Sequence, residues 1–163
     1  METLILTTGG TIQGIENPDT DQKEISKARI AAFFETANVS FKYIIENIFS
    51  KDSREITAED RMLLAEKIKA SKVKKVLITH GTYTMEVTAN HLGRLNLNKT
   101  IVLVGSFKLG SSMNTDAPFN LGFATGALEY LKPGVYVAMN GRIFDWNNVT
   151  KNVKTNKFEQ SDE

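Results

Sequence analysis

The sequence of 163 residues contains no cysteine, only 3 prolines, 2 histidines and 1 tryptophan. Without cysteine there is no disulfide, no thiolate metal ligand and no thiol nucleophile. Two histidines leave little from which to assemble a transition-metal site, and no cofactor is implied. Basic and acidic residues number 20 and 19, a formal net charge of +1. That balance argues against nucleic acid or an anionic membrane surface as partner. No apolar run approaches membrane-spanning length, and no basic-then-apolar secretory leader stands before Thr3. The expectation is a cytoplasmic protein.

What is present is ordinary for a soluble globular domain: 41% hydrophobic and 24% charged residues, in a length that can bury one core. The chain turns on a stretch near its start, L-I-L-T-T-G-G-T-I-Q at residues 4–13. Its apolar opening suits a strand buried on both faces. Gly9 and Gly10 then allow a sharp turn and a close approach to the main chain. Thr11 is thereby placed at the carboxyl end of a strand, where open α/β sheets bind ligands. A second stretch at residues 77–89, L-I-T-H-G-T-Y-T-M-E-V-T-A, repeats the layout of apolar run, small and hydroxyl residues, then a helical pattern.

The remaining elements alternate. The pattern predicts a helix over residues 26–37, a strand over 39–48 and a loop over 49–54. Thr57 with Asp60 forms a capping-box pattern for a helix to Ala70. A strand end at 76–79, a helix over 85–95 and a buried strand over 101–104 follow, then a flexible crossing over 107–115. Asp116 is expected to cap a helix that has Pro118 in its first turn and Leu121, Ala124, Leu128 and Leu131 facing inward. A hairpin turns at Asn140-Gly141 between strands at 135–139 and 142–146. Residues 13–23 read as an exposed loop, and everything from Asn147 as a loosely held polar tail. This order implies a three-layer αβα domain with a mostly parallel sheet, flavodoxin- or Rossmann-like, over residues 1–150, with a polar tail at 151–163.

The segments T-T-G-G-T-I and T-H-G-T-Y-T-M-E-x-T-A resemble the two signature segments of the bacterial-type L-asparaginases (asparaginase/glutaminase). I-V-L-V-G-S at 101–106 and M-N-T-D-A-P-F-N-L at 113–121 are similar to a third. The resemblance covers the family's amino-terminal domain, with no counterpart here to its carboxyl-terminal domain. It implies amide hydrolysis, with Thr11 as nucleophile and Thr82 activating water or polarising the amide. Gly10, Ser50, Gly81 and Tyr83 are implied to line the substrate, and a homo-oligomer is implied as the assembly.

The departures are as informative. Tyr83 stands where the family has an aspartate that holds the substrate ammonium and completes a threonine–lysine–aspartate relay. A phenol with an ordinary pKa of about 10 supplies no such charge at neutral pH. Tyr83 is therefore expected to select a substrate lacking the α-ammonium group. The relay lysine is expected near the end of the 121–131 helix, where Tyr130 and Leu131 stand and Lys132 is adjacent but out of register. The family's loop tyrosine has no counterpart among residues 13–36. His80 reads as a packed histidine rather than a base. A phosphate loop is disfavoured, because T-T-G-G-T lacks both the G-K-[ST] ending and the G-x-G-x-x-G spacing. Three readings stay open: a small-carboxamide hydrolase, a non-catalytic amide- or carboxylate-binding module, and one subunit of a split enzyme whose partner chain supplies the missing domain.

Overall fold

A computed structural model of the chain describes residues 2–14 and 22–161. Its centre is a six-stranded sheet of β1 (Glu2–Gly9), β2 (Lys42–Lys51), β3 (Lys75–Thr79), β4 (Thr100–Val104), β5 (Gly134–Met139) and β6 (Arg142–Asp145), in the order β2-β1-β3-β4-β5-β6. The first five strands are parallel, and β6 returns antiparallel across the Asn140-Gly141 turn. Both turn residues have positive φ, 55° and 75°, the geometry that Asn-Gly supplies most readily. β1, β3 and β4 are buried almost throughout, which is why they read as continuous apolar runs. The edge strand β2 is partly exposed along its length.

Four helices cover the sheet: α1 (Gln22–Thr36), α2 (Ala58–Ala70), α3 (Met85–Gly93) and α4 (Ala117–Tyr130). Phe33 and Phe34 of α1 and Leu121 of α4 line a shared apolar groove. α2 meets α3 where Arg61 Nε donates to Thr88 Oγ1 at 3.0 Å. The Thr57 capping box forms as read, with the hydroxyl accepting from Asp60 N and the Asp60 carboxylate accepting from Thr57 N. The mostly parallel α/β fold expected from the sequence is the fold observed. Among the described residues, no helix is long and apolar enough to cross a membrane.

Four local readings change. β2 continues to Lys51, so Ser50 lies in a strand and not in a loop; a bulge between Thr7 and Gly9 lets pairing resume at Gly9 with Lys51. The helix at 85–95 ends at Gly93, whose hydrogen-only surface is flush against the Trp146 ring. Asp116 precedes α4 but makes no side-chain cap. Its carboxylate instead accepts from the N–H groups of Phe107 and Lys108 and from Asn120 Nδ2, which holds the 107–115 crossing in place. The crossing is also held at Gly110, whose N–H donates to the Thr11 carbonyl at 3.0 Å. Residues 15–21 of the expected exposed loop lie outside the described residues.

The fourth change is the largest. Instead of a loose tail, β7 (Thr150–Asn152) and β8 (Lys157–Glu159) form an antiparallel hairpin folded back onto the domain. Phe158 is buried against Phe107, ring centroids 6.2 Å apart, and its N–H donates to Asn140 Oδ1 at 3.0 Å. A single buried aromatic in a polar segment has no periodicity to reveal it, so the pattern missed it. Replacing it with alanine, Phe158→Ala, is expected to cost about 3 to 5 kcal/mol in urea unfolding followed by Trp146 fluorescence. A loss below about 1 kcal/mol would mean that the hairpin is not part of the core.

Candidate functional site

The two glycine turns meet at the carboxyl ends of β1 and β3. These are neighbouring parallel strands, and the chain order reverses between them, since β2 lies on one side of β1 and β3 on the other. Gly10 has φ 85°, and a Cβ placed on it would fall 2.6 Å from Gly81 Cα. The two turns therefore touch backbone to backbone. This contact sets Thr11, which follows Gly10, beside Thr82, which follows Gly81. Gly105 backs the same cluster: a Cβ there would fall 2.5 Å from the His80 carbonyl and 3.4 Å from Thr82 Cγ2. Asn120 Nδ2 donates to the Gly105 carbonyl at 3.1 Å, so the third sequence segment buttresses the second.

Thr11 opens a 3-10 turn, Thr11–Gln13, and its carbonyl accepts from Gly14 and Gly110, both at 3.0 Å. Its side chain is partly exposed, and Thr82 is nearly buried. Ser50 sits on β2, one residue before the Lys51 backbone that closes against Gly9, and its hydroxyl accepts from Asn47 Nδ2 at 3.1 Å. Gly10, Thr11, Gly81, Thr82 and Tyr83 thus gather at one end of the sheet, with Ser50 at the same strand ends.

The lysine expectation is corrected. Lys132 is exposed just before β5, at the opposite, amino-terminal end of that strand. The lysine at the site is Lys151 of β7, whose Nζ lies 2.8 Å from Thr82 Oγ1. Its N–H donates to Glu86 Oε2 at 2.8 Å, anchoring β7 to the first turn of α3. Burial pushes the Lys151 amine below its ordinary pKa, Glu86 opposes that, and Arg54 adds to it. The V-T-K-N segment at 149–152 was the signal; it went unused because a helix-end position was assumed instead.

Tyr83 is 54% exposed, and its ring is flanked by cations: Lys151 Nζ at 3.9 Å and Arg54 Cζ at 4.7 Å from the centroid. Arg54 is held by Asp52, with Nε to Oδ1 at 2.9 Å and Nη2 to Oδ2 at 2.8 Å. The Arg54 side chain keeps the Asp52 carboxyl down at about 2. Ser53, missed by sequence reasoning, is buried beneath this rim. Its Oγ accepts from Tyr83 N at 3.2 Å, and its carbonyl accepts from Thr84 Oγ1 at 2.5 Å. A Cβ on Gly81 would fall 2.7 Å from Ser53 Oγ, so glycine is required there for the turn to sit on this serine.

His80 is the packed histidine expected. Nδ1 lies 2.7 Å from the Gly81 carbonyl, which can only accept, so Nδ1 carries the proton. Nε2 is then an acceptor for Thr88 Oγ1 at 2.8 Å, whose own lone pair takes Arg61 Nε–H. The ring is neutral, and burial pushes its pKa down to about 4 from 6.5. Among the described residues, no cluster of three or more His, Asp or Glu groups could hold a metal ion.

The chain matches the family model described as "Asparaginase, N-terminal" over residues 2–161. It is 34% identical over 170 residues to the glutaminase-asparaginase of Acinetobacter glutaminasificans, covering 95% of this chain and 51% of the relative. It is 34% identical over 161 residues to L-asparaginase 2 of Escherichia coli, covering 90% of this chain and 45% of the relative. A crystal structure of a probable cytoplasmic L-asparaginase from Campylobacter jejuni superposes with a TM-score of 0.79 at 31% identity, over 98% of this chain and 51% of that one. The chain spans about half the length of these curated relatives.

The buried histidine gives a pH prediction. Unfolding releases a neutral ring that takes up a proton below 6.5, so its stabilisation is complete above 6.5, declines as the pH falls, and is gone near 4. The loss across that window is expected to be about 3 kcal/mol, measured as the urea midpoint against pH. His80→Gln is expected to flatten the slope between those values. An unchanged slope in the variant would assign the acid sensitivity to other groups.

Proposed function

We propose, on the premise that this chain belongs to the asparaginase family, that it hydrolyses a small carboxamide, with Thr11 as nucleophile and the Thr82–Lys151 pair serving as the proton-handling group. The observation that carries this reading is the 2.8 Å approach of Lys151 Nζ to Thr82 Oγ1. A threonine hydroxyl is a weak nucleophile or water activator on its own and needs a base within hydrogen-bond reach. Burial favours the neutral Lys151 amine, the form that can accept a proton.

The reaction then runs in two balanced halves. The Thr11 oxygen bonds to the amide carbon, the carbon–nitrogen bond breaks, and the nitrogen leaves as ammonia carrying the Thr11 proton. Water, giving a proton to the Thr82–Lys151 pair, next attacks the ester carbonyl. The pair returns that proton to the departing Thr11 oxygen, which restores the enzyme. Ser50 and the main chain at Gly10 and Gly81 hold the acid end of the substrate. The printed name of the Campylobacter relative supports a cytoplasmic place of action.

A second reading is favoured by one fact, that the chain spans about half of its curated relatives. On this reading the domain works in an assembly, with another copy or a partner chain completing the rim around Thr11 and Tyr83. A non-catalytic amide- or carboxylate-binding module is the outcome if turnover is absent.

The test is ammonia release from L-asparagine, L-glutamine and succinamic acid by the wild type, Thr11→Ala and Lys151→Met, each shown to be folded. Thr11→Ala is expected to remove the activity, and Lys151→Met to lower kcat by about 10²- to 10⁴-fold. Release that persists in Thr11→Ala would overturn the nucleophile assignment. No release by any folded form would leave the binding module.

A further inference from the structure

We propose that the site takes the amide of a dicarboxylic acid that carries no ammonium group on its chain, and that Tyr83 sets this choice by occupying the ammonium position between two cations. The inference rests on the amide-hydrolase reading for its chemistry and on the geometry around Tyr83 for its selectivity.

Three observations converge. The first is the ring itself: a neutral phenol stands one residue after Thr82, close enough that Lys151 Nζ touches the Thr82 hydroxyl at 2.8 Å and lies 3.9 Å from the ring centroid. Whatever lies against Thr82 is within reach of Tyr83. The second is the field. Lys151 and Arg54 approach the same ring, so an additional ammonium there would meet two like charges and a ring whose attraction for cations is already in use.

The third is the state of the neighbouring carboxylates. Asp52 is taken by both ends of the Arg54 fork. Asp60 is paired with Lys51 Nζ at 2.7 Å, and Glu86 accepts the Lys151 main-chain N–H. Each of these three acids is committed to a partner, so none of them replaces the missing aspartate. A carboxylate on the ligand, by contrast, would find the two cations and the Ser50 hydroxyl. The rim is built for an acid and against an amine.

Succinamic acid and L-asparagine differ only in the ammonium and serve as the probes. Wild-type kcat/KM is expected to favour succinamic acid by at least tenfold. Tyr83→Phe is expected to keep that preference, because the phenyl ring still excludes charge. Tyr83→Asp, at a half-exposed position that tolerates polarity, is expected to shift the ratio toward asparagine by at least tenfold. A wild type that prefers asparagine, or a ratio unmoved by Tyr83→Asp, would overturn the inference.

Thermal shift with succinate and L-aspartate at equal concentration separates this from the hydrolase reading. Greater stabilisation by succinate without ammonia release would uphold the ligand class and reject catalysis. Equal stabilisation by the two, or none by either, would reject the ligand class whatever the turnover.

Discussion

The contact on which the site depends is the meeting of two glycines, Gly10 and Gly81, at the ends of neighbouring parallel strands. With 2.6 Å between a would-be Cβ on Gly10 and the Gly81 Cα, no other residue fits at Gly10. Because the main chains touch, the residues that follow them, Thr11 and Thr82, are held together by backbone and not by flexible side chains. Every other feature of the site is support for this juxtaposition. Ser53 sits beneath Gly81, Gly105 stands behind Thr82, and the Gly110 N–H fastens the crossing to the Thr11 carbonyl. The buried His80–Thr88–Arg61 chain ties the second turn to α2 and α3 through hydrogen bonds between buried polar groups, which need such partners.

The electrostatics of the rim follow from one substitution. With an acid at position 83, Lys151 and Arg54 would have a carboxylate between them. With tyrosine there, the ring quadrupole is what lies against the two cations, and Arg54 takes its charge partner from Asp52 two residues away in sequence. A cation–π contact is weaker than a buried ion pair and carries no net negative charge, so the rim is left positive. Family membership therefore fixes where chemistry takes place, and the particular residues decide what can approach it.

The fold was legible because its core strands are buried on both faces and its turns carry residues with one geometric use. The runs at Leu4, Val76 and Ile101, the Thr57 capping box and the Asn140-Gly141 turn each had a local cause, and each forms where it was read. The edge strand was read short, because its last residues pair through a bulge that no alternation of side chains announces. Asp116 was read as a cap because of its position before Pro118. Its carboxylate instead holds the Phe107 and Lys108 N–H groups, a choice set by the path of the crossing.

By itself the sequence determined the parallel α/β architecture, the two threonines of the candidate site, the glycines that carry them and the absence of an acid at Tyr83. These are properties of short segments, where local sterics and burial act within a few residues. Tertiary structure alone decided that Lys151, and not Lys132, meets Thr82, across 69 positions of sequence. It alone decided that a polar segment near the end becomes a hairpin held by Phe158, and that Arg54 and Lys151 share one ring. Such contacts join groups far apart along the chain. Their geometry is fixed by where the sheet order and the return of the hairpin place whole elements, a constraint that no local pattern records.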